Sequence, residues 1–360
     1  MSLGNILVRA DASPEIGTGH VMRCLALAQA WQDAGGSAVF LMAESTPAVR
    51  ARLASEKCDV ILNPVLPGSV EDADTTRDCA ERHDVDWVVV DGYSLSAGYQ
   101  EQVRGGGRKL LCIDDGGECD YYVADIVLNQ NLNASEKFYR SRGADTQLLL
   151  GTGFSLLRRE FVPWRKWQRE ISPSRRNVLV ALGGSTRTEI GVRVMEALGS
   201  VNIEGLRAVF VVGGSTPDGT SLESCAAKFP ATITIRRDVS NMAALMSEAD
   251  VAISAAGSTC WELCFLALPS ILLDVAANQT PIALELCRQE CSLYAGSANT
   301  ISVAKVAKSV ENLLASEETR EALSRRSRQL VDGLGAERVV SAMRNPAAEP
   351  VVGVTRGARA

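Results

Sequence analysis

The chain alternates short apolar runs with amphipathic stretches, and it does so in two successive series. The runs are apolar at nearly every position, which is typical of strands buried on both faces of a parallel sheet. This alternation predicts an α/β fold with helices on both faces of each sheet. The predicted strands are Asn5–Arg9, Ala38–Met42, Asp59–Leu62, Trp87–Val90, Lys109–Ile113 and Ile126–Leu128, then Val178–Leu182, Ala208–Val212, Thr232–Ile235, Val251–Ser254 and Ser270–Leu273.

A basic segment with two prolines, Arg158–Asn177, interrupts the alternation and indicates a connection between domains. We therefore predict two Rossmann-like, doubly wound parallel-sheet domains with a cleft between them. The predicted boundaries are 1–160 for the first domain, 161–176 for the linker, 177–344 for the second domain and 345–360 for a disordered tail. Ligands bind beyond the carboxyl ends of strands in such sheets, so the loops at those ends are the candidates for chemistry.

Composition narrows the class of protein. A net charge of −6 without a basic stripe argues against a nucleic-acid partner. No apolar run approaches the roughly 18 residues of a membrane span. Ten cysteines in a chain that starts without a leader pattern predict free thiols and a cytoplasmic location. The cysteine spacings do not suit zinc, and Asp84-Val85-Asp86 precedes its strand, so we expect no metal. We also expect no cofactor. The oligomeric state stays open, and a monomer is favoured.

The loop after the first strand contains Gly17, Gly19 and His20 and opens a helix. A dinucleotide-binding loop is disfavoured because its third glycine position is the bulky Met22. A helix N-terminus favours a neutral imidazole, which a general base needs. The alternative is that His20 only caps the loop. The other histidine, His83, is expected at the surface.

Polar side chains follow the next strands of the first domain. Asp91 and Tyr93 come just after Trp87–Val90, where they could contact a sugar. The alternatives are a helix cap for Asp91 and rim packing for Tyr93. The pair Asp114-Asp115 is explained equally well by a turn, and the amides of 129–131 could face the same edge.

The second domain has two strand–glycine–helix units. Their free amides, at Gly183 and Gly184 and at Ser258 and Thr259, could hold a diphosphate. Neither unit is a P-loop. Glu262 could bind ribose hydroxyls, or it could simply complement the helix dipole.

One further loop, after Ser270–Leu273, contains Asn278 and Gln279. These neutral donors and acceptors suit sugar recognition, although local capping explains them as well.

Seven stretches of the chain form an ordered set of motifs: Ile16–Ala28, Asp91-x-Tyr93, Gly151–Arg158, Leu182–Ser185, Val239–Met246, Ala255–Glu262 and Asn278-Gln279. Taken together, these motifs resemble the PseG family, the UDP-2,4-diacetamido-2,4,6-trideoxy-β-L-altropyranose hydrolases of pseudaminic acid synthesis. Related spore-coat polysaccharide proteins share the motifs, and the resemblance runs in order from about residue 5 to about 344. It implies a MurG-like GT-B arrangement.

The resemblance also implies roles. His20 activates or positions the attacking water, and Tyr93 and Asn278 hold the sugar and the water. Gly183, Ser258 and Thr259 meet the diphosphate, Glu262 the ribose and the Val239 backbone the uracil. The chain departs from the family pattern at Gly92, Thr186 and Ala277, where the family often has His, Asp and Asp.

The resulting prediction is a metal-independent, inverting hydrolase that cleaves the anomeric C1–O bond of this UDP-sugar. Its substrate-binding residues are Gly17, Gly19, Asp91, Gly183, Gly184, Val239, Ser258, Thr259, Glu262 and Gln279. One alternative is a MurG-like inverting glycosyltransferase, which needs an acceptor. A second alternative is a UDP-sugar-binding protein without catalysis.

Overall fold

The computed structural model describes residues 3–172, 174, 176–184, 187–216, 220–229 and 233–345. The chain divides into two compact units. Unit 1 runs to Arg159 and resumes at Gly333, and unit 2 is Glu160–Asp332. Each unit is built on a parallel sheet with helices around it, so the predicted fold class is confirmed.

The described part of unit 1 contains a seven-stranded sheet in the order β3-β2-β1-β4-β5-β6-β7. All neighbouring strands are parallel. The strand order reverses between β1 and β4, which makes this the topological switch point. The elements are β1 (Asn5–Ala10), α1 (Gly19–Asp33), β2 (Ser37–Met42), α2 (Pro47–Ser55), β3 (Asp59–Leu62), α3 (Val70–Arg82), β4 (Val85–Asp91), α4 (Ala97–Val103), β5 (Lys109–Ile113), β6 (Ile126–Asn129) and β7 (Gln147–Leu150).

Unit 2 repeats this plan. Its described residues form a six-stranded parallel sheet in the order β10-β9-β8-β11-β12-β13, with the switch point between β8 and β11. The elements are β8 (Asn177–Ala181), α5 (Thr188–Ser200), β9 (Arg207–Val212), α6 (Thr220–Ala226), β10 (Ile233–Arg237), α7 (Met242–Glu248), β11 (Val251–Ala255), α8 (Thr259–Phe265), β12 (Ser270–Asp274), α9 (Thr280–Arg288), β13 (Leu293–Ser297), α10 (Val303–Ala315) and α11 (Glu317–Arg328).

Local sequence explains where several helices begin. The Thr46 hydroxyl accepts from the Val49 amide, and Pro47 occupies the first turn of α2, as predicted. Ser69 and Ser96 cap α3 and α4 in the same way. The caps therefore fix the points at which the chain leaves each preceding loop.

The C-terminal helix α12 (Gly335–Arg344) belongs to unit 1, which corrects the predicted second domain of 177–344. Its apolar face packs against α1. Val339, Val340 and Met343 belong to the hydrophobic core that α1 forms with the sheet of unit 1. Gly335 lies so close to the Ser155 backbone that an added Cβ would be 2.3 Å from its carbonyl oxygen. All of the predicted tail except Asn345 lies outside the described residues.

The predicted linker 161–176 differs from the structure as well. Its described residues are part of unit 2 and not a free connection. Arg169 donates to the carbonyls of Met246 at 2.6 Å and Leu266 at 2.9 Å. Arg169, one of the basic residues that indicated a connection between domains, thus binds carbonyl groups of unit 2.

Other expectations about the chain can now be compared with the structure. All ten cysteines lie in the described residues and are free thiols, as predicted. Within the described ranges, every helix is too short or too polar to span a lipid bilayer. The edge strands β7 and β13 were not predicted, because neither has a long apolar run.

Candidate functional site

The candidate site of unit 1 lies at its switch point, where β1 and β4 end. The loop after β1 turns at Gly17, whose φ of 78° lies in the left-handed region that favours glycine. The Gly17 amide donates to the Ser13 carbonyl at 2.8 Å, which closes the loop. Helix α1 then starts at Gly19 and brings His20 to the end of β4.

His20 and Asp91 form a dyad. The Nδ1 atom of His20 lies 2.5 Å from Oδ1 of Asp91, and the Asp91 side chain is 0% exposed. Two acceptors would repel each other at this distance, so Nδ1 carries a proton and donates it to the carboxylate. In the neutral imidazole with this tautomer, Nε2 has a lone pair and can accept a proton from another molecule.

Arg23, one turn further along α1, also binds the Asp91 carboxylate. Its Nε and Nη2 atoms donate to the two oxygens of Asp91 at 2.6 and 2.7 Å. Burial works to raise the pKa of the Asp91 carboxyl, but the charges of Arg23 and His20 outweigh it and hold that pKa well below its usual range. Asp91 therefore stays ionised beside His20.

Asp115 completes this charged group. Arg23 donates to it at 2.7 Å, and the Asn131 side-chain amide donates to it at 2.9 Å. Burial opposes the ionisation of Asp115, but Arg23 lowers the pKa of its carboxyl. One buried arginine thus fixes two carboxylates, so the guanidinium and the dyad hold each other in place.

Tyr93 covers the dyad from the side. Its ring meets the His20 ring edge-on with centroids 4.9 Å apart, and the residue is 48% exposed. Burial raises the pKa of its phenol, and Asp115 raises it further, so the hydroxyl stays protonated at neutral pH. It can therefore act as a hydrogen-bond donor.

The structure changes the part played by Asp91 and adds two residues to the site. Sequence analysis placed Asp91 against a sugar, whereas its buried carboxylate is occupied by His20 and Arg23. Arg23 was not considered, and Asp115 was left as a turn residue. The available signal was a charged residue three positions after His20 in an otherwise apolar stretch, since such a residue needs a buried partner.

The candidate residues of unit 2 also lie at a switch point, between β8 and β11. Gly183 has a φ of 100°, and the chain passes so close to Gly213 that a Cβ there would be 2.4 Å from the Gly184 carbonyl oxygen. The following residues, Ser185 and Thr186, lie outside the described residues. At the second loop, Ser258 precedes α8.

Glu262 and Gln279 border this second loop. Glu262 is 7% exposed and sits in the first turn of α8. The Gln279 side chain accepts from the Val275 amide at 3.0 Å, and its Nε2 lies 3.6 Å from where a Gly257 Cβ would be. The structure therefore brings the loops after β11 and β12 together.

Two further predicted residues of unit 2 are Asn278 and Val239. Asn278 is exposed beside Gln279, and Val239 is half-buried between β10 and α7. Both belong to unit 2. Their roles at a sugar and a uracil stay predictions. Among the described residues, no cluster of three or more His, Cys, Asp or Glu could hold a metal ion.

Comparison with known proteins identifies relatives of this chain. Residues 178–339 match the C-terminal domain of glycosyltransferase family 28. The chain is 24% identical over 338 residues to the spore coat polysaccharide biosynthesis protein SpsG of Bacillus subtilis, covering 93% of this chain and 96% of that protein. It is 24% identical over 286 residues to the UDP-2,4-diacetamido-2,4,6-trideoxy-beta-L-altropyranose hydrolase of Campylobacter jejuni, covering 79% and 96%. The resemblance predicted from the motifs is confirmed.

Not every relative is matched along its full length. An uncharacterized protein of Methanocaldococcus jannaschii is 24% identical over 283 residues, which cover 74% of this chain and 55% of that protein. The chain thus spans about half the length of this relative.

Solved structures identify the fold. MurG of Acinetobacter baumannii superposes with a TM-score of 0.62 at 17% identity, covering 95% of this chain and 99% of MurG. The fold is that of the GT-B glycosyltransferases. The chain is therefore similar to a protein named as a hydrolase and, over residues 178–339, to a glycosyltransferase domain.

Proposed function

We propose that this protein hydrolyses a UDP-linked acetamido sugar, specifically UDP-2,4-diacetamido-2,4,6-trideoxy-β-L-altropyranose, in pseudaminic acid synthesis. The observation that carries the proposal is the buried Asp91–His20 dyad, which leaves Nε2 of His20 as a base beside an exposed tyrosine. The Campylobacter jejuni relative, named as a hydrolase of this compound, supports the choice of substrate.

The proposed reaction is a single displacement. His20 Nε2 accepts a proton from water as the water oxygen forms a bond to C1 of the sugar. The C1–O bond to the diphosphate breaks, and its electron pair leaves with UDP. One displacement from the face opposite the leaving group inverts the configuration at C1. Asp91 stabilises the imidazolium that forms, as the carboxylate of other His–Asp dyads does.

Unit 2 is proposed to hold the nucleotide. The backbone amides at Gly183 and Gly184 and the residues Ser258 and Thr259 are assigned to the diphosphate. Amides aimed at the leaving oxygens stabilise the developing charge without a metal ion. Glu262 is assigned to the ribose hydroxyls and the Val239 backbone to the uracil. The sugar contacts are assigned to Gly17, Gly19, Tyr93, Asn278 and Gln279.

An inverting glycosyltransferase is the second candidate, because residues 178–339 match a glycosyltransferase domain and the fold is shared with MurG. In that reaction His20 would deprotonate an acceptor hydroxyl in place of water. A third possibility, a UDP-sugar-binding protein without catalysis, would bind the same ligand and release no UDP.

UDP release from the purified protein in ¹⁸O-labelled water separates these functions. Hydrolysis at C1 releases UDP without an acceptor and places the label in the free sugar. Label in the phosphate, or release that waits for a second carbohydrate, would contradict the proposal. Tight binding of the UDP-sugar with no UDP release would favour the binding protein.

A further inference from the structure

A cavity of about 190 Å³ lies in unit 1 next to the dyad. It opens between the loop after β4 and the loop after β5. Tyr93 forms part of its wall and also packs edge-on against His20. The cavity and His20 therefore share Tyr93 as a neighbour, although His20 itself does not line the cavity. Of the residues that line it, only Tyr93 has a role assigned above.

The deeper polar groups of the cavity wall are already satisfied by the protein. Asp114 accepts from the hydroxyls of Tyr122 and Tyr139, each at 2.7 Å, and from two backbone amides. The Gln100 side chain donates to the Leu95 carbonyl and accepts from the Val123 amide. These groups keep the cavity in shape, and they have little capacity left for a ligand.

Glu118 differs from these residues. Its carboxyl lies at the cavity edge and makes no hydrogen bond with any residue in the described part of the chain. Burial raises the pKa of this carboxyl, and Asp114 and Asp115 raise it further, while His20 and Arg23 act in the opposite direction. Glu118 is therefore within electrostatic range of the dyad, and it is an exposed residue of the cavity wall.

Gly92 also lines the cavity. A Cβ built on it meets only the Leu95 side chain, at 3.7 Å or more, and its φ is one that other residues adopt. Neither packing nor backbone conformation requires a glycine here. A side chain of leucine size at this position would take up space next to Leu95, which lines the same cavity.

We propose that this cavity is the subsite for an acylamino substituent of the sugar, with Glu118 accepting the hydrogen bond from its N–H and Leu95 contacting the acyl group. The inference rests on the proposed function and adds to it the feature that selects the sugar. The walls also contribute Asp114 and Asp120, so a sugar bearing a carboxylate at this position would be repelled.

The test uses two probes, the diacetamido UDP-sugar and its analogue with one acetamido group replaced by hydroxyl. The ratio of their kcat/KM values measures the preference for the acylamino group. We expect Glu118→Ala and Gly92→Leu to lower this ratio about tenfold or more, because a hydrogen bond to a charged group or an acyl-sized space is lost. Glu118→Gln keeps an acceptor oxygen and should retain most of the preference.

Gly98→Leu is the matched control. Gly98 lies on the exposed side of α4 with no atom within 4 Å of an added Cβ, and it does not line the cavity. The ratio should stay unchanged in this variant. An unchanged ratio in both Glu118→Ala and Gly92→Leu, for each position at which acetamido is replaced, overturns the inference.

Calorimetric binding of the same two probes distinguishes the two proposals. If the wild-type protein releases UDP from neither probe, the proposed hydrolysis is wrong. The ratio of the two dissociation constants in the wild type and the variants then decides the cavity assignment by itself. A tenfold loss of binding preference supports the assignment, and an unchanged preference removes it.

Discussion

The two switch points of this molecule have the same strand topology, but their loops present different chemical groups. In unit 1 the loops after β1 and β4 place the buried ionic groups of His20, Arg23 and Asp91 against one another. In unit 2 the loops after β8 and β11 contribute glycines and backbone groups, with Glu262 as their buried acid. Side chains with fixed charges suit proton transfer, whereas exposed amides suit the holding of an anion.

This difference predicts that changes in unit 1 should affect the rate of reaction and changes in unit 2 should affect ligand binding. A rigid charged group is also sensitive to the loss of one member, because removal of one partner leaves the other charge buried and unpaired. The predictions below separate the two units by their effects.

The largest effect is expected for His20→Ala. Loss of the general base should lower kcat by ~10²–10⁴-fold, while UDP affinity measured by calorimetry stays the same. His83→Ala, which changes the other histidine at the C-terminal end of α3, is the matched control. A His20→Ala variant that retains normal turnover would exclude His20 from the mechanism.

Asp91→Asn is expected to lower kcat by roughly 10²-fold or more, a large part of what a general base contributes, because an amide no longer fixes the imidazole with its proton on Nδ1. UDP binding should again be unchanged. Asp86→Asn, at an exposed position on the same strand, controls for a general effect on β4. A loss confined to KM would show that Asp91 contacts the substrate and does not orient the base.

Acid should destabilise unit 1 more than unit 2. The pKa values of Asp91 and Asp115 are lowered in the folded state, so their stabilisation is present above the ordinary carboxyl pKa and is lost as the pH falls below it. We expect unit 1 to lose ~2 kcal/mol as the pH falls from about 5 to 2.

Urea unfolding at several pH values, followed by pulse-labelled hydrogen exchange of peptides from each unit, measures this effect. Asp115→Asn should reduce the pH dependence of unit 1, because one of the two titrating groups is gone. Equal acid sensitivity of both units would contradict the prediction.

The smallest effect is expected for Glu262→Gln. Loss of a charge-assisted hydrogen bond to a ribose hydroxyl should weaken UDP binding by about tenfold and leave kcat at saturating substrate nearly unchanged. Glu318→Gln, on the exposed side of α11, serves as the control. A large fall in kcat with normal UDP binding would place Glu262 in the chemistry and abolish the division between the units.

The sequence alone was sufficient to locate the elements that have a continuous apolar run or a clear helix-start signal. The central strands of both sheets could be located because each is a continuous apolar run, and α2 because of Thr46 and Pro47. The edge strands β7 and β13 were missed, since partly exposed residues such as Gln147 and Tyr294 break the pattern.

The charged group around Arg23 could not be derived in the same way. His20 was found because it follows a glycine loop after a strand. Arg23 pairs with Asp91 and Asp115, which are 68 and 92 positions away. These positions come together only through the order of the strands in the folded sheet. No local sequence pattern encodes that order.

The return of α12 to unit 1 has a consequence for synthesis on the ribosome. The side chains of Val339, Val340 and Met343 complete the core beneath α1, yet they are among the last described residues to be translated. The apolar surface that α12 covers in unit 1 therefore stays uncovered until all of unit 2 has been synthesised. A nascent chain halted before residue 335 would leave that apolar surface exposed.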